Sequence, residues 1–206
     1  MTMQLQYKLD KLYSILYRWL LQPAFLPYWI LTLLILIIGY SLGRIFIKRK
    51  TSSDCDVNGR ALAFAMTIAY YFLVYAYTVL SRPADEYWVI ELAPFWSYYD
   101  VIVHHEETQL LFILINIAML APIGFLLPFW AEEDSGKNSL SIRRVLLIGA
   151  VLSYLIEFSQ LLLHRGDFEL FDDPFNNILG CLIGRWLAGK RKKKEILNHN
   201  DSKREA

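Results

Sequence analysis

Glu157 and Gln160 stand at i and i+3 inside an apolar run, so they share one face of a helix. The loop that follows holds His164, Arg165, Asp167, Glu169, Asp172 and Asp173, and Asn176 and Asn177 open the next apolar run. An ionisable side chain at membrane depth is costly, which makes Glu157 a site hypothesis by default. The competing reading is that Glu157 pairs with a neighbour such as Arg165 and pins two helices together. Arginine beside amide donors suits a phosphate or carboxylate headgroup. The adjacent acids Asp172 and Asp173 suit a divalent ion bridging a lipid phosphate, or else lie solvated in a loop. Glu157, set in a low-dielectric wall, could carry a proton. His104, His105, Glu106 and Glu107 read as a polar loop rather than a metal site, because neighbours in sequence face different ways on a helix. No GxSxG, HExxH or Walker-type phosphate loop occurs, so no catalytic residue, metal or cofactor is expected.

These residues must be positioned by membrane helices. The chain of 206 residues is 55% hydrophobic and 15% aromatic, with a mean hydropathy of +0.31. That is the composition of an integral membrane protein. A net charge of +1 gives no overall field for nucleic acid. Cys55 lies in a basic linker and Cys181 in an apolar run, with no CxxC spacing between them.

A crossing helix needs about 20 mostly apolar residues. Five runs come close: Tyr28 to Ile47, Ala61 to Leu80, Leu110 to Trp130, Val145 to Leu163, and the shorter Pro174 to Ala188. Ahead of them Leu5, Leu9, Leu12, Leu16 and Leu20 recur at near-helical spacing among Lys8, Lys11 and Arg18. This predicts an amphipathic helix on the membrane surface, broken by Pro23 and Pro27. No signal-peptide pattern precedes the first run, which is expected to stay as an anchor. The expected fold is therefore all-α, a polytopic membrane helical bundle of five transmembrane helices plus an N-terminal amphipathic interfacial helix. The divisions are 1–27, a helical domain over 28–189, and a basic tail over 190–206.

Basic residues concentrate in the linker Lys48 to Arg60, in the linker Ala131 to Arg144 and in the tail from Lys190. The positive-inside rule places these in the cytoplasm, with the N-terminus outside and the C-terminus inside the cell membrane. Lys8, Lys11 and Arg18 argue the other way and are outvoted. The tail reads as frayed and solvated, near anionic lipid heads. Gly39 and Gly43, and the stripe Gly180, Gly184 and Ala188, suit close helix contacts. Pro122, Pro128 and Gly124 predict a kink or break in the third run, with Asn116 ahead of it as interhelical glue or as a ligand. Under this topology Asn116, Glu157, Gln160, Arg165, Asp172, Asp173 and Asn177 converge on the outer-leaflet side.

The same residues carry a family resemblance. NIAMLAPIGFLLP at Asn116 to Pro128, the E-x-x-Q pair of Glu157 and Gln160, and RGDFELFDDPFNNILGCLIG with Arg165, Asp172, Asp173, Asn177 and Gly180 resemble segments of the VanZ-like membrane protein family. LAPF at Leu92 to Phe95 is similar to a short motif ahead of them. The resemblance runs from roughly Glu91 to Gly184, about half the chain. It implies a bacterial cell-envelope protein and a link to glycopeptide antibiotic resistance, specifically tolerance of teicoplanin, a lipoglycopeptide acting at the outer membrane face. The expected function is non-enzymatic: an outer-leaflet polar pocket for membrane lipid headgroups, a cell-wall precursor or a lipoglycopeptide. A membrane enzyme acting on a lipid phosphate and a proton-coupled lipid transporter are the alternatives. The absence of a detectable internal repeat weighs against the transporter.

Overall fold

The computed structural model describes residues 23–50, 56–84, 89–131 and 140–205. The amphipathic segment expected before Pro23, and Cys55, lie outside the described residues. A single turn at Pro23–Phe25 leads into α1 (Leu26–Lys50). Next come α2 (Val57–Tyr75), prolonged by a wide π turn at Ala76–Leu80, and β1 (Ile90–Glu91). The short α3 (Trp96–Tyr99) and a second π turn at Asp100–His104 precede α4 (Glu107–Ala131). The chain closes with α5 (Ile142–Leu163), β2 (Phe168–Glu169) and α6 (Asp172–Glu205).

Four helices are long and apolar enough to cross a membrane: Leu26–Arg49, Val57–Leu80, Glu107–Ala131 and Ile142–Leu163. They match the first four apolar runs, and the protein is a multi-pass membrane protein by this measure. The fifth run forms the first half of α6. The basic tail, expected to fray, continues that helix to Glu205. Its lysines, arginine and glutamate are good helix formers, and no glycine or proline interrupts them.

Glycines set how the helices meet. A Cβ placed on Gly180 would strike the Ile117 carbonyl, and one on Gly184 the Ala121 carbonyl; one on Gly124 would strike the Cys181 backbone. Thus α4 and α6 run parallel, with backbones in direct apposition. Gly39 lies 3.4 Å, by its absent Cβ, from the Ala65 Cα, while Gly43 faces Ala61 and Phe64, so α1 and α2 are antiparallel. Tyr71 donates to the Leu152 carbonyl and Tyr75 to Ser159, which sets α2 parallel to α5. The core between these helices is built from Val74, Val79, Leu120, Ile123, Val145 and Ile156. Leu33, Ile37, Leu147 and Leu155 remain exposed, as lipid-facing side chains should.

Of the kink or break expected in α4, no break occurs: the helix runs through both Pro122 and Pro128. Proline removes a donor and leaves carbonyls in the preceding turn short of partners. Neighbouring helices brace the same turn: Tyr70 donates to the Met119 carbonyl at 3.0 Å, and the Cys181 thiol to Leu120 at 3.5 Å.

The linkers after α2 and α5 meet at one end of the bundle. Ile90 pairs with Phe168 and Glu91 with Glu169 in a two-stranded parallel ladder. Phe168 N–H donates to the Val89 carbonyl at 2.9 Å, and Leu170 N–H to Glu91 at 3.1 Å. Both linkers therefore lie on the same side, as strict alternation of the helices requires.

Candidate functional site

Beneath that ladder lies a cavity of about 150 Å³. Arg82, Asn116, Asp167, Glu169 and Asp173 give it polar walls, with Thr78 and Tyr77 from the end of α2. Arg82 reaches it because Gly166 adopts φ +95°, where its missing Cβ leaves room for the guanidinium. Asp167 is held by the Val89 N–H at 3.1 Å, and Asp173 by the Asn116 side-chain amide.

Glu169 and Asp173 line the same cavity close together. Two carboxylates so placed repel, which favours a proton on one of them. Burial pushes Glu169 up to about 8, and the charges of Asp173 and Asp172 add to the rise. The Ser97 hydroxyl, 3.4 Å away, opposes it weakly. Directly behind the pair, Glu157 is 1% exposed. It accepts the Glu169 amide N–H at 3.1 Å through Oε2. Glu157 thus ties α5 to the ladder behind the cavity.

Other candidates from the sequence hold the frame. Arg165 donates from Nη1 to the Leu80 carbonyl at 2.6 Å, closing the π turn of α2. Gln160 donates to the Thr78 carbonyl at 3.2 Å in the same turn. These two donors, with the Thr78 hydroxyl on Val74 and the Ser81 hydroxyl on Tyr77, occupy the carbonyls of a helix end that lacks regular i→i+4 partners. Asp172 caps α3 through the Phe95 and Ser97 amides. Asn177 donates to Ser153 at 2.8 Å between α6 and α5, and Asn176 accepts from Tyr98. The structure therefore brings Asn116 and Asp173 into the cavity and sets Glu157 against its wall. Arg165, Asp172 and Asn177 face backbone or neighbouring helices around it.

Three lining groups were not singled out from the sequence: Arg82, Asp167 and Glu169. Their only signal was charge in the two linkers that share a side. His104 and His105 stay exposed, with His104 Nδ1 2.9 Å from Asp100. Among the described residues no three His, Cys, Asp or Glu side chains group as they would around a metal ion.

One guanidinium faces three carboxyl groups across a small cavity, with an amide at its side. This arrangement can hold an anionic oxygen at Arg82 and an ammonium at the acids. A family model described as VanZ/LLP1 matches residues 61–190 of the 206. No curated protein and no solved structure matches the chain.

Proposed function

The chain belongs to the VanZ/LLP1 family, and on that premise we propose that it is a binding protein of the cell membrane, not a catalyst. The ligand is an envelope molecule that carries both phosphate or carboxylate and amine: a lipid headgroup, a wall precursor or a lipoglycopeptide. The observation that carries this reading is Arg82 set opposite Asp167, Glu169 and Asp173 in one cavity. Among the described residues no serine or cysteine lines that cavity, and the hydroxyl of Thr78 bonds the Val74 carbonyl. In this reading the first half of α6 is a fifth crossing, shortened and seated against α4 by Gly180 and Gly184. The basic linkers face the cytoplasm, so the cavity opens at the outer leaflet, with the N-terminus outside and the C-terminus inside. Tolerance of teicoplanin is the cellular effect this placement would produce.

The test separates site from scaffold. Arg82→Ala should abolish teicoplanin tolerance while the protein still inserts, because Arg82 is exposed and lies in a linker outside the helices. Arg165→Ala should lower the amount inserted, because it uncaps α2. Full tolerance in an Arg82→Ala strain would sink the proposal.

The paired carboxyls of Glu169 and Asp173 favour one second reading, a membrane enzyme that uses them as acid and base on a lipid phosphate held by Arg82. Lipid mass spectrometry of a deletion strain decides it. An accumulated phospholipid or polyprenyl phosphate supports the enzyme, and an unchanged lipid profile with altered tolerance supports binding.

A further inference from the structure

A second, larger cavity of about 320 Å³ adjoins the first. Its walls are almost wholly apolar: Phe25 and Trp29 at the start of α1, Tyr70, Leu73 and Val74 on α2, and Ala118 on α4. The two cavities share Tyr77, Ile115 and Met119 as a common wall. From Thr78 at the polar end to Tyr70 the groove descends eight residues of α2, about 12 Å along the helix axis. Charge therefore sits at the end of the bundle and an apolar channel runs from it toward the middle of the membrane.

We infer that the two cavities form one site for an ethanolamine-type phospholipid, its phosphate at Arg82, its ammonium at Asp173 and Glu169, and one acyl chain in the groove between α1, α2 and α4. This rests on the headgroup-binding reading above and adds the chain and the choice of lipid. Charge complementarity selects the occupant. Even with a proton on one of the Glu169–Asp173 pair, two carboxylates against one arginine disfavour a purely anionic headgroup and favour one that carries its own cation. The groove explains why a soluble headgroup alone would be a poor ligand, since most of the apolar surface available for burial lies below the charges. Phe25 stacked on Tyr77, with ring centroids 5.8 Å apart, fixes the upper lip where headgroup and chain divide. Tyr70, bonded to the Met119 carbonyl, fixes the lower end.

The experiment uses the full-length protein in detergent, offered an equimolar mixture of long-chain phosphatidylethanolamine and phosphatidylglycerol, with retained lipid read by native mass spectrometry. Water-soluble glycerophosphoethanolamine is titrated in parallel to report the polar cavity alone. Wild type should retain phosphatidylethanolamine over phosphatidylglycerol. Ala118→Trp fills the groove from an exposed position; by denying burial to about two methylenes it should weaken phosphatidylethanolamine retention about tenfold and leave glycerophosphoethanolamine binding unchanged. Ala118→Leu serves if the tryptophan variant melts early. Arg82→Ala should weaken both ligands. Unaltered lipid retention in both Ala118 variants overturns the acyl-chain assignment and leaves the headgroup site standing. Equal retention of the two lipids, insensitive to Arg82→Ala, overturns the headgroup reading itself and marks the occupant as bulk lipid.

Discussion

Asp172 holds Phe95 in place: its carboxylate accepts the Phe95 N–H at 2.6 Å and the Ser97 N–H at 2.8 Å. Phe95 sits at φ 62°, a left-handed conformation that side chains with a Cβ seldom adopt. Its ring meets Phe175 edge-on, with centroids 5.5 Å apart, one turn after Asp172 on α6. The strained turn, the cap and the aromatic contact therefore form a single lock between the α3 turn and α6. Asp172→Ala frees one buried and one half-buried donor at once and should cost about 2–4 kcal/mol, with Asp172→Asn costing roughly half. Thermal unfolding in detergent measures it; equal melting of all three proteins would refute the lock.

The titration of Glu169 should show in stability. Its carboxyl is raised from the usual 4.5 to about 8, first by burial and then by Asp173 and Asp172. The folded state binds this proton more tightly than the unfolded chain does, so the contribution is full below about pH 4.5 and is lost as pH rises through about 8. The melting temperature should fall across that window, and Glu169→Gln, which mimics the neutral acid, should flatten the slope. A Glu169→Gln protein with the wild-type slope would remove Glu169 as its source.

Ligand affinity should move the opposite way over the same range. An alkylammonium stays charged to about pH 10, so ionising Glu169 adds attraction for it. Glycerophosphoethanolamine should bind more tightly at pH 9 than at pH 6, a contrast that Glu169→Gln removes. Titration calorimetry at the two pH values reads the difference directly.

Two glycines of one helix should respond in opposite senses. Gly184→Ala drives a methyl into the Ala121 carbonyl of α4, a backbone atom that cannot yield cheaply. A loss of about 1–3 kcal/mol is expected from such overpacking. Gly189 has nothing within 4 Å of the added methyl, so Gly189→Ala should be neutral or stabilising by up to about 1 kcal/mol. Matching losses at both positions would mean that helix apposition is not what Gly184 provides.

Sidedness can be read chemically. In a background lacking Cys55 and Cys181, Ala84→Cys should react with a membrane-impermeant maleimide in intact cells, while Gly189→Cys should react only after permeabilisation. The reverse pattern would invert the orientation and move the cavity to the cytoplasmic leaflet.

What could be read in advance was whatever depends on local spacing. The first four apolar runs, the Gly180–Gly184 stripe and the face shared by Glu157 and Gln160 all follow from helical periodicity, and each is found as a helix, a contact or a buried pair. Arg82 was opaque for the opposite reason. It enters the cavity only because a ladder joins residues nearly eighty positions apart and because Gly166 leaves it room. Glu169 resembled a solvated loop acid until that same ladder tucked it against Asp173. Arg165 carried the right charge for a ligand, yet its guanidinium is engaged by Leu80 O, a partner whose availability depends on the π turn of α2. Proline chemistry alone argued for a kink or break in α4; the donors that brace that turn, Tyr70 and Cys181, come from other helices.

The short β1–β2 ladder also bears on traffic. The ladder joins two linkers beside the charged chamber, and the apolar cavity adjoins it along α2, so a lipid bound as proposed would enter edgeways from the leaflet. A visitor already confined to a two-dimensional film is abundant at the doorway, so a weak grip is enough to keep the chamber filled. Turnover of a lipid would then follow lateral diffusion in the film, while a water-soluble headgroup would reach only the charged chamber.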